Sequence, residues 1–357
     1  MPDKLIHIKL DEHINNFSEL SVALNNFINS NKLTNFHGNE NLYQAIENTL
    51  INNGFFTHET VFFALKTISE MLEKSKLEKW TKNYLPFFES EKSMKNVGVV
   101  MAGNIPLVGF HDFLCVLITG NKFIGKLSQN DRFLLPAIAG MLKAIDIRYE
   151  NFISFTEDKL KDFDAVIATG STNTSRYFEY YFGKYPHIIR KNRNSIAVLI
   201  GDETEEQLCL LADDMFSYFG LGCRSVSKIF VPEKYDFQKL IRTMHAYSYL
   251  SNHNKFRNNY DYYKTIFIMN QQKFIDGGFF ILNEDTSLHS PVSVINYEYY
   301  SDIEKVKSFI NEYDDKIQCV VESFPSTSTI LSFGRAQHPE LWDYADNIDT
   351  LSFLFNL

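Results

Sequence analysis

The spacing of apolar residues changes character near residue 96. Before it, the chain reads as helices. Leu65, Ile68, Met71 and Leu72 recur at helical spacing after Thr57, which suits an N-cap, and Lys and Glu occupy the other faces. Asn53-Gly54 reads as the stop of the preceding helix. After residue 96, short apolar runs alternate with longer periodic ones. Val97-Gly-Val-Val-Met101 predicts a strand followed by a turn at Gly103. Residues 108–118 predict a helix ending at Gly120, 122–126 a strand, 133–145 a helix and 152–155 a strand. Ala165-Val-Ile-Ala168 predicts a strand running into Thr169-Gly170-Ser171, with a helix after it. Strands alternating with helices in this way predict βαβ units and a mostly parallel, doubly wound α/β sheet.

A second α/β segment follows. Residues 196–200 predict a strand and 204–218 an amphipathic helix with Cys209 at an apolar position. A loop with Gly220, Gly222 and Cys223 leads to a strand at 226–231. Helices are expected at 237–249 and 303–313, and strands at 292–295 and 318–321. With 357 residues, two domains are expected at roughly 150 residues each. No linker marks the boundary, which is placed near Asn192.

Composition narrows the function classes. Hydrophobic residues make up 45% and charged residues 22%, as in ordinary globular proteins. The net charge of −9 and the scattered lysines argue against nucleic acid, whose binding needs clustered Lys and Arg. The most apolar stretch, 97–119, is broken by Asn104, Pro106, His111 and Asp112, so no membrane span is expected. Met1-Pro-Asp-Lys-Leu5 lacks the pattern of a secretory leader. Cys115, Cys209, Cys223 and Cys319 are far apart and have no metal-ligand spacing. Free thiols in a cytoplasmic protein are the simplest account, with no metal site.

Four short features could carry chemistry. Cys223 lies in Gly220-Leu-Gly-Cys-Arg-Ser, where small neighbours let a substrate approach the sulfur, and a thiolate attacks thioester or aldehyde carbons readily. The plain alternative is an inert small hydrophobe. Ala168-Thr-Gly-Ser-Thr172 is a strand end opening a helix, which suits a pyrophosphate or is simply a capped helix. Gly103-Asn-Ile-Pro-Leu107 can aim the Asn104 amide at an oxyanion, or is a turn before proline. Gly120-Asn-Lys-Phe-Ile-Gly-Lys-Leu-Ser128 is a strand ending in Lys126 and Ser128, or a surface strand end.

In this order, the four features resemble the aldehyde dehydrogenase superfamily. Gly103-Asn-Ile-Pro-Leu107 is similar to its Asn-Phe-Pro oxyanion segment, and Lys126-Leu-Ser128 to its Lys-Pro-Ser strand end at the adenosine ribose. Thr169-Gly-Ser171 is similar to its turn under the pyrophosphate, and Gly222-Cys223 to its nucleophile loop. Val100-Met-Ala-Gly-Asn-Ile-Pro-Leu-Val-Gly109 and the tail Phe333-Gly-Arg-Ala-Gln337, with Asp343-Tyr-Ala-Asp346 and Asp349-Thr350, bring the resemblance closest to the LuxC-type acyl-CoA reductases.

The resemblance implies an aldehyde-dehydrogenase-like fold. A helical N-terminus and dinucleotide-binding domain would span 1–191 and a catalytic domain 192–332, with a tail, 333–357, returning to the body of the fold. It implies Cys223 and Asn104 as catalytic, and Lys126, Ser128, Gln129, Thr169, Gly170 and Ser171 as cofactor-binding. The implied cofactor is NADP, with NADPH preferred and NAD possible, because Gln129 stands where NAD-using relatives often carry Glu. The implied substrate is an acyl-CoA or acyl-carrier thioester, reduced to aldehyde by a homo-oligomer working with an acyl-activating synthetase. Two departures matter. Arg190-Lys-Asn-Arg-Asn194 replaces the Glu-Leu-Gly-Gly-Lys stretch that activates water in aldehyde-oxidising members, and Ser287-Leu-His-Ser-Pro291 replaces Glu-Ile-Phe-Gly-Pro. Without that carboxylate, water is a poor acyl acceptor. His111, His187 and His289 are available as proton donors, but none is singled out. An acyl-phosphate reductase of the same superfamily, or an inactive scaffold for the synthetase, is the alternative.

Overall fold

The computed structural model describes residues 7–30, 39–89, 93–323 and 330–357; the reading of residues 1–5 as free of a leader lies outside them. The chain divides into two units, Met1–Lys191 with Glu340–Leu357, and Asn192–Pro339.

The first unit begins with α1 (Leu10–Ser30), α2 (Asn39–Asn52), α3 (His58–Met71), α4 (Lys74–Thr81) and α5 (Leu85–Phe88). Thr57 and Thr60 exchange side-chain and backbone hydrogen bonds in a capping box that starts α3. Val61, Ala64, Leu65 and Ile68 bury one face of α3, which packs against α1, where Ser21 and Ser69 exchange hydrogen bonds. An α/β layer follows: β1 (Asn96–Val100), α6 (Phe110–Ile118), β2 (Lys122–Lys126), α7 (Leu134–Ile145), β3 (Ile153–Thr156), β4 (Ala165–Thr169), α8 (Thr172–Phe182) and β5 (His187–Arg190). All five strands are parallel, in the order β3-β2-β1-β4-β5. Ala165, Val166, Ile167 and Ala168 are wholly buried, as expected of a parallel strand covered on both faces. The winding reverses at β1, so the carboxyl ends of β1 and β4 flank the switch point where doubly wound sheets bind ligands. The C-terminal helix Thr350–Phe355 packs on α6.

The second unit comprises β6 (Asn194–Val198), α9 (Glu205–Phe216), β7 (Val226–Pro232), α10 (Phe237–Met244), α11 (Asn254–Met269), β8 (Ile275–Asp276), β9 (Ile281–Glu284), β10 (Val294–Tyr300), α12 (Ile303–Glu312), β11 (Ile317–Glu322) and β12 (Leu331–Ser332). Its sheet runs β12-β11-β6-β7-β10-β9-β8, parallel except for β8 against β9.

The elements depart from expectation in several places. Strands β5, β8, β9 and β12 and helix α11 add to the elements that the sequence pattern predicts. Helix α11 hides its apolar face, Phe256, Tyr260 and Phe267, among Asn and Tyr. The α-helix expected at 237–249 stops at Met244 and tightens to 3₁₀ over His245–Asn252. Cys209 is exposed on α9 and not on its apolar face. Among the described residues, no helix is long and apolar enough to cross a membrane, and no cluster of His, Cys, Asp and Glu could hold a metal ion.

Candidate active site

Three of the four expected motifs leave the carboxyl ends of strands in the first unit's sheet. The loop after β1 carries Asn104, which is exposed. The loop is held on both sides of Asn104. A Cβ on Gly103 would lie 2.4 Å from Ser128 Oγ and 2.8 Å from its Cβ, so the loop passes closely over the turn after β2; one on Gly109 would lie 2.4 Å from Met101 Sδ and displace that side chain. Asn53, just past α2, donates its side-chain amide to the Gly103 carbonyl at 3.5 Å and the Asn130 carbonyl at 3.3 Å. Leu107 adopts φ +60°, a strained value for a branched residue, and its amide donates to Asp131 Oδ2 at 2.7 Å. Asp131 is buried. Desolvation pushes its carboxyl up to about 6, against the amides of Leu107 and Leu134.

The end of β2 lies beside this loop. Lys126 extends its ammonium to the carbonyls of Glu157 and Asp158, at 3.0 and 2.8 Å, which leaves one of its three donors over. Ser128 pairs with Asp131 in a short antiparallel bridge, and its Oγ accepts from the Asn130 amide at 3.3 Å. Gln129 is exposed, its main-chain carbonyl accepting from Asn52 Nδ2 at 2.6 Å. A helix-end pair, Asn52 and Asn53, thus fixes both the Asn104 loop and the turn after β2.

At the end of β4, Gly170 donates its amide to the Arg190 carbonyl at 3.2 Å. A Cβ there would meet Phe178 at 2.8 Å, so the turn passes tightly over α8. Ser171 caps α8 by accepting from the Thr174 amide at 3.2 Å; the side chain of Thr172 lies outside the description. A cavity of about 660 Å³ lined by Phe87, Phe88 and Asn121 lies at the opposite, amino end of β1 and β2.

Cys223 belongs to the second unit. It sits at the exposed tip of a turn, 222–225, closed by the Ser225 amide to the Gly222 carbonyl at 3.0 Å. Ser195 of β6, wholly buried, donates to the Cys223 carbonyl at 2.9 Å, and its Oγ lies 3.0 Å from Cys319 Sγ. Tyr218, Phe219 and Gly220 all take left-handed backbone angles, φ 52°, 59° and 75°. Two aromatic residues in that region are a local strain held by packing, including Phe219 against His253, 4.3 Å between ring centres. On the strand after the cysteine, Ser227 donates to the Leu288 carbonyl at 2.8 Å, and Lys228, wholly buried, reaches Glu298 at 2.6 Å and the carbonyls of Asp285 and Thr286. These tie the 285–291 loop to β7.

Arg190 opens the stretch aligned with the family's water-activating carboxylate. Here it is buried and paired with Asp112 at 2.6 Å and Thr350 at 3.0 Å. It is structural. His111 is also structural: its Nε2 lies 3.0 Å from the Leu341 carbonyl, and burial lowers its pKa. His187 Nδ1 accompanies the Tyr185 carbonyl at 2.8 Å, and His289 Nδ1 lies 3.3 Å from Asn194 Oδ1.

The acyl-CoA reductase (LuxC) family matches residues 51–247, more than half of the chain. The chain belongs to the LuxC acyl-CoA reductase family. Solved structures carry the likeness across nearly the whole length of this family member. Aldehyde dehydrogenase 21 of Physcomitrella patens, in complex with the reaction product succinate, is similar at TM-score 0.61 and 11% identity, over 98% of this chain and 89% of that one. An NAD-dependent benzaldehyde dehydrogenase of Corynebacterium glutamicum is similar at TM-score 0.60 and 11% identity, over 88% and 76%. An oxidoreductase of Marinobacter aquaeolei reaches TM-score 0.62 at 11% identity, over 90% and 75%. At such identities the likeness establishes the fold, which is that of the aldehyde dehydrogenases. No curated protein matches the chain in sequence.

Proposed function

We propose that this LuxC-family chain reduces an acyl thioester, of the fatty acyl-CoA kind, to an aldehyde through a thioacyl intermediate on Cys223. The observation that carries the reading is the exposed Cys223 at the tip of a braced turn, in a chain of an acyl-CoA reductase family. The Cys223 thiolate attacks the carbonyl carbon. The Asn104 amide and the Cys223 backbone amide receive the oxyanion, and the carrier thiolate leaves. The stretch that would carry a water-activating carboxylate begins instead with an arginine bound to Asp112, which supports reduction over hydrolysis as the fate of the thioacyl group.

The residues at the carboxyl ends of β2 and β4 fit a dinucleotide. The capped start of α8 presents backbone amides at the switch point, Gly170 leaves no side chain over the turn, and Lys126, Ser128 and Gln129 supply donors nearby. A nicotinamide cofactor supplies the two electrons that turn thioester into aldehyde. Lys126, Ser128 and Gln129 would hold its adenosine end, and Thr169, Gly170 and Ser171 its pyrophosphate. NADPH is the preferred form, since no carboxylate stands at Gln129 to repel a 2′-phosphate. The reading extends to a cytoplasmic homo-oligomer served by an acyl-activating synthetase.

The test is NADPH oxidation over acyl-CoAs from acetyl to palmitoyl, with release of free CoA measured alongside. Turnover with matching CoA release supports the reading; turnover with acyl phosphates alone would move it to the other reductase branch.

A further inference from the structure

The segment Phe333-Gly-Arg-Ala-Gln337 follows β12 and has no part in the chemistry above. Its backbone is held by one carboxylate. Asp214, wholly buried on α9, accepts from the Gly334 amide at 2.6 Å and the Ala336 amide at 2.9 Å. Ala336 in turn offers its carbonyl to Arg224 Nε at 2.6 Å. The Gln337 side-chain amide donates to the Asp214 carbonyl at 3.4 Å and the Ser225 hydroxyl at 3.3 Å. Arg224 and Ser225 directly follow Cys223. Gly334 has φ +80°, and a Cβ on it would lie 2.8 Å from Leu210 Cδ2, so the segment lies flat on α9. A buried carboxylate is costly unless its partners repay the desolvation. Here both partners are amides of a segment that itself grips the nucleophile turn.

We propose that Asp214 and the 333–337 segment form a brace that holds the Cys223 thiol in position for attack, with Asp214 as a positioning residue. The inference rests on the reading of Cys223 as nucleophile. Both Asp214 oxygens accept from N–H groups, an arrangement suited to the ionised carboxylate; a proton on either oxygen turns it into a hydroxyl, a weaker acceptor, and loosens the brace. Desolvation pushes this carboxyl up to about 7, against the amides of Gly334 and Ala336; Asp213 raises it further and Arg224 opposes the rise. The brace therefore slackens as pH falls through that value.

The experiment uses the full chain and the variants Asp214→Asn, Arg224→Gln and Cys223→Ala, with thermal unfolding as the check of folding. Turnover is measured with NADPH and palmitoyl-CoA, and alkylation of Cys223 by iodoacetamide is followed by peptide mass across pH. The brace variants are expected to lose about ten- to a hundredfold in kcat, with KM for NADPH within about twofold of wild type. In Asp214→Asn the alkylation profile should also lose its inflection near 7, which a merely stabilising residue would not impose. If Asp214→Asn does not fold, Arg224→Gln, at a half-buried position, decides. Wild-type kcat and an unchanged alkylation profile in a folded brace variant, with Cys223→Ala inactive, overturn the brace. Turnover surviving in Cys223→Ala overturns the nucleophile reading instead, and the alkylation profile alone then decides whether the brace positions Cys223.

Discussion

The amide of Leu107 donates to the carboxylate of Asp131 at 2.7 Å, across 24 residues of sequence, and this bond holds a leucine in the left-handed region three residues after Asn104. A left-handed non-glycine residue costs about 1–3 kcal/mol and persists only where its surroundings impose it. Asp131 imposes it here, so the direction of the Asn104 loop depends on a buried acid.

That acid makes stability depend on pH. Burial raises the Asp131 carboxyl to about 6, so between the ordinary carboxylate value and about 6 the native chain holds a proton that the unfolded chain has released. Stability should fall as pH rises through this window and level off above it, by at most about 3 kcal/mol from this residue. Asp131→Asn removes this contribution. Chemical unfolding at about pH 4.5 and about pH 7.5 should show a smaller loss in the variant than in wild type; equal losses contradict the assignment.

Asn104→Ala should lower turnover by about a hundred- to a thousandfold, the usual loss for one oxyanion donor. NADPH affinity should change little. A loss confined to cofactor binding would remove Asn104 from the role.

Much of the first unit was legible because its strands are short apolar runs between glycine turns, and β1, β2, β4 and their helices fall within a residue or two of expectation. What escaped depends on distant partners. Strand β5 ends in Arg190, the first residue of a polar, basic stretch without a strand pattern, and only Asp112, far earlier in the chain, neutralises it in the interior. Cys209 lies between buried Leu208 and Leu211, yet the α9 face it occupies is open. The motifs at Asn104, Lys126 and Ser171 were visible as residues, whereas the bonds from Asn52, Asn53 and Asp131 that hold the Asn104 loop and the turn after β2 were not: Asn53 reads locally only as a helix stop. Ser195 and Asp214 were equally silent: one is a serine in a strand and the other an acid in a helix, and only their bonds to the Cys223 turn and to the 333–337 segment reveal them.

The buried Arg190–Asp112 pair offers a stability test independent of catalysis. Arg190→Leu strands a buried carboxylate and should cost about 3–5 kcal/mol. Replacing both residues by leucine should recover much of that loss, since no charge is then left unpaired. Urea denaturation of the two variants checks the order; a double variant less stable than Arg190→Leu would show that the pair contributes more than mutual neutralisation.

Cofactor preference turns on Gln129, exposed beside Lys126 and Ser128. Steady-state kinetics should give a higher kcat/KM with NADPH than with NADH. Gln129→Glu should shift the ratio toward NADH by several-fold or more, through repulsion of a 2′-phosphate. An unchanged ratio would take Gln129 out of the cofactor site.

The nucleophile is the centre of the account. Cys223→Ala, purified and shown to unfold at the wild-type temperature, should oxidise no NADPH with palmitoyl-CoA and release no burst of CoA, while Cys209→Ala, at an exposed position, should keep wild-type turnover. More than a few per cent of wild-type turnover in Cys223→Ala, where removal of a nucleophile ordinarily costs many orders of magnitude, would contradict it.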